Sequence, residues 1–265
     1  MKKRALAAVL AVTLMVGAAA FVRVERAAGE LANRSEGPLV VAHRAGAALG
    51  PENTLEALEA SIQAGADMAE VDVRLTRDGV PVLLHDESLL RTAGADRAIE
   101  DTDLAQLEEL EEETGHEIPT LEELFQAAGG RIILMLDLKP GDREALLAQE
   151  TARLVKKYGM EETCVVASGA KAILERCGQL LPQADRLYIT RLIYPGMGTG
   201  AWAQGYSADC RWAGAASAVQ AHWEGRTLYL WTVNGESGIR QAAALGVRGI
   251  ITDDPALALA VLERS

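Results

Sequence analysis

Cysteine is scarce in this chain, and the spacing of its cysteines excludes one class of metal site. The 265 residues include three cysteines, Cys164, Cys177 and Cys210, and no two of them form a CxxC pair. Thiolate zinc sites depend on such closely spaced ligands, so we predict no centre of that kind. In an oxidising compartment one disulfide is possible, but we expect small, buried, apolar side chains instead.

Basic residues are also in short supply. The chain has 26 Lys and Arg residues against 38 Asp and Glu residues, which gives a net charge of −12. Residues 1–28 hold five basic residues and one acidic residue, so the remainder carries −16. A body this acidic lacks the positive field that nucleic-acid binding needs, and we predict no nucleic-acid partner. A site for an anionic substrate would need local cations, such as a metal ion, Arg44 or Lys139.

Repeats and a second apolar core are absent as well, so we predict one domain over residues 38–265. Short apolar runs alternate there with helical patterns, and the principal strands are predicted to start at Leu39, Met68, Arg131, Thr163, Arg186, Gly205, Thr227 and Gly249. Eight β/α units predict an α/β fold that closes as a (β/α)8 TIM barrel. Residues 74–118 interrupt the alternation, and we interpret them as an insertion after the second strand, entered through a turn at Asp78-Gly79.

The chemically active side chains stand where predicted strands end. His43 follows the first strand, Glu70 and Asp72 end the second, and further candidates follow later strands: Asp137, Lys139, Trp231 and Asn234. Because the carboxyl ends of barrel strands share one face, these side chains should converge there. His85 lies on the insertion, which we expect to fold back over the same mouth.

Glu70 and Asp72 are the strongest sign of a metal site. They are two residues apart, so on a strand both carboxylates face the same way, although their neighbours are apolar. Two buried carboxylates on one face need a cation. Hard oxygen ligands favour Ca²⁺ or Mg²⁺ over zinc or copper. Together with two imidazoles, such a site is typical of metal-assisted acid–base chemistry.

Ten short motifs cover roughly residues 39–262. In chain order they are His43-Arg44, Pro51-Glu52-Asn53-Thr54, Gly65-Ala66-Asp67, Glu70-x-Asp72-Val73, Thr76-x-Asp78-Gly79, His85-Asp86, Ile118-Pro119-Thr120-Leu121-Glu122-Glu123, Leu136-Asp137-Leu138-Lys139, Trp231-Thr232-Val233-Asn234 and Ile251-Thr252-Asp253-Asp254-Pro255. In this order they resemble the glycerophosphodiester phosphodiesterase family.

The resemblance implies metal-dependent hydrolysis of glycerophosphodiesters to glycerol 3-phosphate and an alcohol. A lysophospholipase D that acts on lysophospholipids is the alternative. The implied roles are general acid and base for His43 and His85, substrate binding for Arg44, Lys139 and Trp231, and ligation of one Ca²⁺ or Mg²⁺ ion by Glu70, Asp72 and Asp137. The family more often has Glu at position 137, so the third ligand is shorter here by one methylene.

Three aspartates in these motifs are expected to have local roles only. We interpret Asp86 as a capping residue or a partner in a local hydrogen bond. We interpret Asp253 and Asp254, with Pro255, as a turn and a helix start.

The first 28 residues have the features of a targeting segment. Basic residues 2–4 precede an uncharged, largely apolar stretch, 5–22. The small residues 18–20 fit a cleaved signal peptide, whereas the whole stretch fits an uncleaved membrane anchor at the short end of the usual range. Because the positive charges favour a cytoplasmic amino terminus in both cases, we expect residues 38–265 to be exported and either secreted or anchored to the membrane.

Overall fold

The computed structural model describes residues 37–194 and 196–263, and its centre is a closed parallel β-barrel. The strands are β1 (Leu39–Ala42), β2 (Met68–Leu75), β3 (Pro81–Leu83), β4 (Ile133–Leu138), β5 (Cys164–Ser168), β6 (Asp185–Thr190), β7 (Gly205–Asp209), β8 (Thr227–Trp231) and β9 (Gly249–Thr252). All of these except β3 are parallel, and they pair in the order β1-β9-β8-β7-β6-β5-β4-β2, with β2 returning to β1. The predicted (β/α)8 barrel is therefore confirmed.

Helices surround the barrel and fill the insertion. They are α1 (Leu55–Ala64), α2 (Leu90–Ala93), α3 (Leu104–Thr114), α4 (Leu121–Ala128), α5 (Glu144–Lys157), α6 (Lys171–Leu180), α7 (Ala215–Trp223), α8 (Glu236–Ala244) and α9 (Pro255–Val261). Thr120 starts α4 with a capping box, in which Thr120 Oγ1 accepts from Glu123 N and the Glu123 carboxylate accepts from Thr120 N. Asp254 caps α9, because its side chain accepts a hydrogen bond from Leu257 N.

The barrel strands read as continuous apolar runs because both of their faces are covered. Inside the barrel a small cluster packs around Val41, Met68 and Met135. Outside it, larger clusters fill the space between strands and helices, and they include Leu58, Phe125 and other fully buried side chains. This two-sided burial is typical of parallel sheets, and it leaves the strand ends as the place for polar groups.

The insertion after the second strand is confirmed, with one difference in the strand itself. β2 continues to Leu75, two residues beyond its predicted end, because β3 pairs with it in antiparallel register through Val73↔Leu83 and Leu75↔Pro81. The pairing turns the chain back over the mouth of the barrel. His85, which follows β3, is brought to that mouth as expected.

The predicted leader lies outside the described residues. Within the part of the chain that the structure describes, no helix combines the length and the apolar character needed to cross a bilayer. Cys164, Cys177 and Cys210 are free thiols, and the first two are buried in the apolar cluster between strands and helices, as expected. Burial raises the pKa of both buried thiols to about 12.

Candidate active site

The mouth of the barrel contains a cavity of about 160 Å³. All of the residues predicted to act in catalysis, metal binding or substrate binding line it: His43, Arg44, Glu70, Asp72, His85, Asp137, Lys139 and Trp231. A larger groove of about 790 Å³ runs between the insertion and helices α4 and α5. Its wall includes many glutamates, among them Glu108, Glu111 and Glu150, so it would repel a phosphate.

Strand register explains why the three carboxylates meet. Asp72 on β2 lies directly opposite Asp137 on β4, and Glu70 lies one pleat below on the same face. Oxygen atoms of the three carboxylates all lie within 4.8 Å of one another. The three residues are 1–7% exposed. Like charges at this spacing destabilise one another unless cations lie among them.

Lys139 supplies part of that positive charge. Its ammonium lies 2.6 Å from Asp72 Oδ1 and also contacts the Asp137 carboxylate. Burial opposes the charged form of Lys139, but the surrounding carboxylates outweigh it and raise the pKa. Asn53 adds two hydrogen bonds, donating from Nδ2 to Asp72 Oδ2 at 2.8 Å and accepting from Asp72 N at 3.0 Å. Burial opposes ionisation of Asp72 as well, yet these partners and His85 lower its pKa to about 2.

The negative charges of Glu70 and Asp137 are compensated less completely than that of Asp72. Burial, reinforced by the charge of Asp72, raises the pKa of Glu70 to about 7, and burial also raises the pKa of Asp137. The set therefore retains excess negative charge when all three groups are ionised. A divalent cation among the three oxygens would compensate it, and an all-oxygen set suits Ca²⁺ or Mg²⁺. The residues present therefore fit the predicted metal site.

The loop after β1 holds one edge of this set in place. Arg44 and Ala45 both adopt the left-handed conformation, at φ 51° and 66°, and this turn directs Arg44 N onto Glu70 Oε2 at 2.8 Å. Gly46 completes the turn at φ 109°, where an added Cβ would lie 2.2 Å from Ser61 Oγ. A side chain at position 46 would therefore displace the loop and its hydrogen bond to Glu70.

His43 is fixed by a residue that the sequence interpretation assigned only to a turn. β1 pairs with β9 through Ala42↔Thr252, so the next residues, His43 and Asp253, emerge side by side. Asp253 Oδ1 lies 2.6 Å from His43 Nδ1, and Asn234 in turn donates to the same carboxylate. The local interpretation of Asp253 was wrong, although the position of both residues after neighbouring strands offered a signal for the contact.

This contact shapes the charge of the imidazole. Burial lowers the pKa of His43, but the hydrogen bond to Asp253 and the charges of Glu70 and Asp72 outweigh burial and raise it. Because Nδ1 is engaged, Nε2 is the ring nitrogen that remains for proton transfer with a substrate.

His85 has a similar arrangement, which extends across the mouth. His85 Nδ1 lies 2.7 Å from Asp86 Oδ1, so the predicted local hydrogen bond of Asp86 is confirmed. Asp86 also accepts a hydrogen bond from Arg91. The Arg91 guanidinium reaches across the mouth, where its NH2 lies 2.6 Å from Glu52 Oε1. Glu52 in turn accepts a hydrogen bond from Arg44 NH1 at 3.0 Å. Arg91 was not among the predicted site residues. It connects the two sides of the mouth, and no short-range pattern pointed to its contact with Glu52.

Two buried N–H groups in the cavity wall have no hydrogen-bond partner among the described residues. They are Arg44 Nε and Trp231 Nε1. Arg44 Nε lies 3.6 Å from Asp72 Oδ2, an ion-pair distance that is too long for a hydrogen bond. Buried donors are almost always satisfied in folded proteins, so these two suit a ligand that presents oxygen atoms to the cavity.

Sequence and structure comparisons agree with this geometry. The model of the glycerophosphoryl diester phosphodiesterase family matches residues 43–257. The chain belongs to this family. It is accordingly a phosphoric diester hydrolase, and the resemblance found in the motifs is confirmed.

Relatives of this family come from distant organisms. A glycerophosphodiester phosphodiesterase of Caldanaerobacter subterraneus is 30% identical over 82% of this chain and 94% of its own length. A mouse lysophospholipase D is 27% identical over 82% of this chain and 79% of its own length. An Oleispira antarctica phosphodiesterase, solved in complex with the product sn-glycerol-3-phosphate, is 25% identical, with a TM-score of 0.79 over 86% of this chain and 97% of that chain.

The Asp253 contact gives a testable expectation for this hydrolase. Asp253→Ala should lower kcat by less than the roughly 10²–10⁴-fold expected for loss of the histidine itself. It should also shift the limb of the pH–rate profile that reports His43 to lower pH, because Asp253 raises the pKa of that imidazole. The control is Asp254→Ala in the same loop. It removes a helix cap, so it should cost about 1 kcal/mol of stability and leave the pH profile in place.

Proposed function

We propose that this protein hydrolyses glycerophosphodiesters to glycerol 3-phosphate and an alcohol, using one divalent cation and two histidines. One observation supports the proposal above all: the Glu70, Asp72 and Asp137 carboxylates share a small cavity with His43 and His85. The cavity combines a cation site with two proton-transfer groups, which is the set of groups that phosphodiester hydrolysis needs.

In this proposal the positive charges bind the phosphate. Glu70, Asp72 and Asp137 would hold a Ca²⁺ or Mg²⁺ ion, which when bound offsets the negative charge that grows on the phosphate oxygens in the transition state. Lys139 stands among the same carboxylates and adds a fixed ammonium. Arg44 donates through Nε, which has no hydrogen-bond partner among the described residues, and Trp231 offers its indole N–H or its ring face to the glycerol or the alcohol.

The two histidines divide the proton transfers. One imidazole takes the proton of the attacking oxygen, and the other gives a proton to the leaving alkoxide. Asp253 and Asp86 hold the Nδ1 atoms, so Nε2 of each ring carries the transfer. Because an aspartate holds each histidine in the same way, the geometry does not distinguish the general acid from the general base. The attacking oxygen belongs either to water or to the glycerol 2-hydroxyl, which would form a cyclic phosphate first.

A substrate panel tests the proposal. Glycerophosphocholine, glycerophosphoethanolamine, lysophosphatidylcholine and bis(p-nitrophenyl) phosphate would each be assayed with and without EDTA. We expect metal-dependent release of glycerol 3-phosphate from the first two substrates, detected by an enzyme-coupled assay, and ³¹P NMR would show any cyclic phosphate. Metal-dependent cleavage of the nitrophenyl ester alone would contradict the glycerophosphodiester specificity and leave the hydrolase assignment intact.

Lysophospholipase D activity is the second candidate function. It is supported by the similarity to the mouse enzyme of that name and by the apolar side of the cavity, formed by Met135, Ile189 and Ile251. An apolar wall next to the phosphate site suits a substrate that retains an acyl chain. Release of choline from lysophosphatidylcholine at a rate above that from glycerophosphocholine would favour this function.

We also propose that the enzyme is exported, with residues 1–28 as a signal peptide or a membrane anchor. The proposal depends on basic residues 2–4 and the apolar stretch 5–22. An alkaline phosphatase fusion after Glu30 should be active, because that enzyme needs export to form its disulfides. An inactive fusion would indicate a cytoplasmic protein. Mass spectrometry of the native protein would distinguish cleavage near residue 21 from an intact amino terminus in the membrane fraction.

A further inference from the structure

An unusual group of exposed apolar side chains lies beside the catalytic cavity. Leu192 and Tyr194 follow β6, Trp212 follows β7, and their exposed fractions are 51%, 54% and 67%. We call these three residues, two of which are aromatic, the aromatic rim. Single exposed apolar residues are common on soluble proteins, whereas exposed apolar side chains grouped on neighbouring loops are typical of interaction surfaces.

The two loops that carry the rim follow neighbouring strands. β6 and β7 are paired strands, joined in register through Thr190↔Ala208 near their carboxyl ends. Ile193 and Ala213, which stand next to rim residues in the sequence, are both buried in one apolar cluster. Each loop is therefore anchored in the apolar core by one buried side chain, while the rim residues next to it are exposed to solvent.

The rim continues into the wall of the cavity. Ile189 lies on β6 just before the first loop, Trp231 lies on the strand next to β7, and both line the catalytic cavity. Whatever covers the rim is therefore placed over the mouth through which a phosphodiester must enter. A partner that itself presents phosphodiester groups suits this position.

The charge of these loops is opposite to that of the chain. Residues 191–204 and 209–214 contain two arginines, Arg191 and Arg211, and one carboxylate, Asp209, which gives +1 in a chain of net charge −12. The Arg211 side chain is 73% exposed and covers the buried Asp209 carboxylate. Tryptophan, tyrosine and leucine beside arginine are the residues that settle at the headgroup level of a lipid surface.

We propose that the aromatic rim docks on a lipid surface and presents the catalytic cavity to it. The overall acidity of the chain disfavours strongly anionic bilayers, so the matching partner is a zwitterionic surface such as phosphatidylcholine. Apolar insertion supplies the affinity there, and the exposed Arg191 contacts headgroup phosphates. A second copy of this chain or a partner protein would use the same side chains differently, and the test distinguishes them.

The length of chain before the barrel is compatible with this orientation. Residues 23–38 separate the apolar stretch of the leader from β1, and fully extended they reach about 50 Å. A domain of this size has a radius of gyration of about 17 Å. A retained anchor would therefore allow the mouth to face the bilayer, and a cleaved form would depend on the rim alone.

Tryptophan fluorescence quenching by brominated lipid tests the docking. The full-length chain would be mixed with vesicles of dibrominated phosphatidylcholine and, as reference, with unbrominated vesicles. We expect quenching in the wild type and loss of most of it in Trp212→Phe. The matched control is Trp223→Phe, because Trp223 is 54% exposed at the carboxyl end of α7, on the opposite end of the barrel. This control should be quenched like the wild type.

Three results would overturn the proposal. They are absence of quenching in the wild type, quenching of Trp212→Phe equal to that of the wild type, and a dimer in sedimentation velocity that Trp212→Ser dissociates. Circular dichroism checks that each variant is folded. The readout does not depend on hydrolysis, and activity on soluble glycerophosphocholine is measured in parallel. Normal activity without quenching therefore contradicts the docking alone, whereas quenching without activity contradicts only the proposed function.

Discussion

His43→Ala and His85→Ala should each lower kcat by roughly 10²–10⁴-fold, the usual contribution of a positioned proton-transfer group. Each imidazole lines the cavity and has its Nδ1 held by a carboxylate, which is the arrangement of a group that must present Nε2 at a fixed place. Because both side chains lie at the mouth and outside the packed core, the melting temperature should change little. Steady-state kinetics and thermal denaturation check both expectations.

A matched control separates loss of a catalytic histidine from loss of any histidine. His116 is exposed on the connection between α3 and α4, so His116→Ala should keep the kcat of the wild type. Wild-type kcat in His43→Ala or His85→Ala would assign that residue a structural role instead.

The same two variants can identify the general acid. A leaving group of low pKa, such as p-nitrophenolate, departs without protonation, so a variant that lacks only the acid should lose much less activity on a nitrophenyl ester than on a glycerophosphodiester. The variant that lacks the base should lose activity on both substrates. Equal losses in both variants would contradict a division of roles between His43 and His85.

Removal of divalent metal should abolish activity, and Ca²⁺ or Mg²⁺ should restore it. The physical reason is the excess negative charge of three buried carboxylates that one ammonium only partly compensates. Assays before and after EDTA treatment, followed by readdition of each ion, measure the effect and show which ion is preferred. Full activity of the metal-free protein would contradict the role proposed for Glu70, Asp72 and Asp137.

Metal binding should also be visible without catalysis. An ion at 100 times its Kd stabilises the folded state by about 2.7 kcal/mol, which for a domain of this size raises Tm by about 5–10 °C. Glu70→Gln keeps the size of the side chain and removes the charge, so it should lose both the shift and the activity. Glu59→Gln makes the same change at a half-exposed ion pair on α1 and should keep both.

The sequence determined the architecture because its signals are local. Alternation of apolar runs and helical patterns is set by the repeat of each element, and eight such units are sufficient to predict a closed barrel. The two-residue period of a strand placed Glu70 and Asp72 on one face. The helix start predicted at Asp254 depends on residues within one turn of each other, and it is confirmed.

Strand register was decided only by the tertiary structure. The closure of the barrel places Ala42 opposite Thr252, and this pairing of distant segments brings Asp253 to His43 across 210 residues of chain. The pairing Asp72↔Asp137 similarly sets the two carboxylates level with each other. A pattern within one strand carries no information on which residue of another strand stands opposite, because long-range packing of all the strands and helices fixes it.

The sequence also did not predict which charged side chains pair with one another around the site. Lys139 was predicted to point at a phosphate, and the structure shows its ammonium among the Asp72 and Asp137 carboxylates. Arg91 joins Asp86 to Glu52, which lies 39 residues earlier in the chain. Residue types and spacing thus determined which groups gather at the mouth. Only the folded chain decided which charges pair there, because a long cationic side chain can reach several carboxylates and its partner is chosen by their distances and burial.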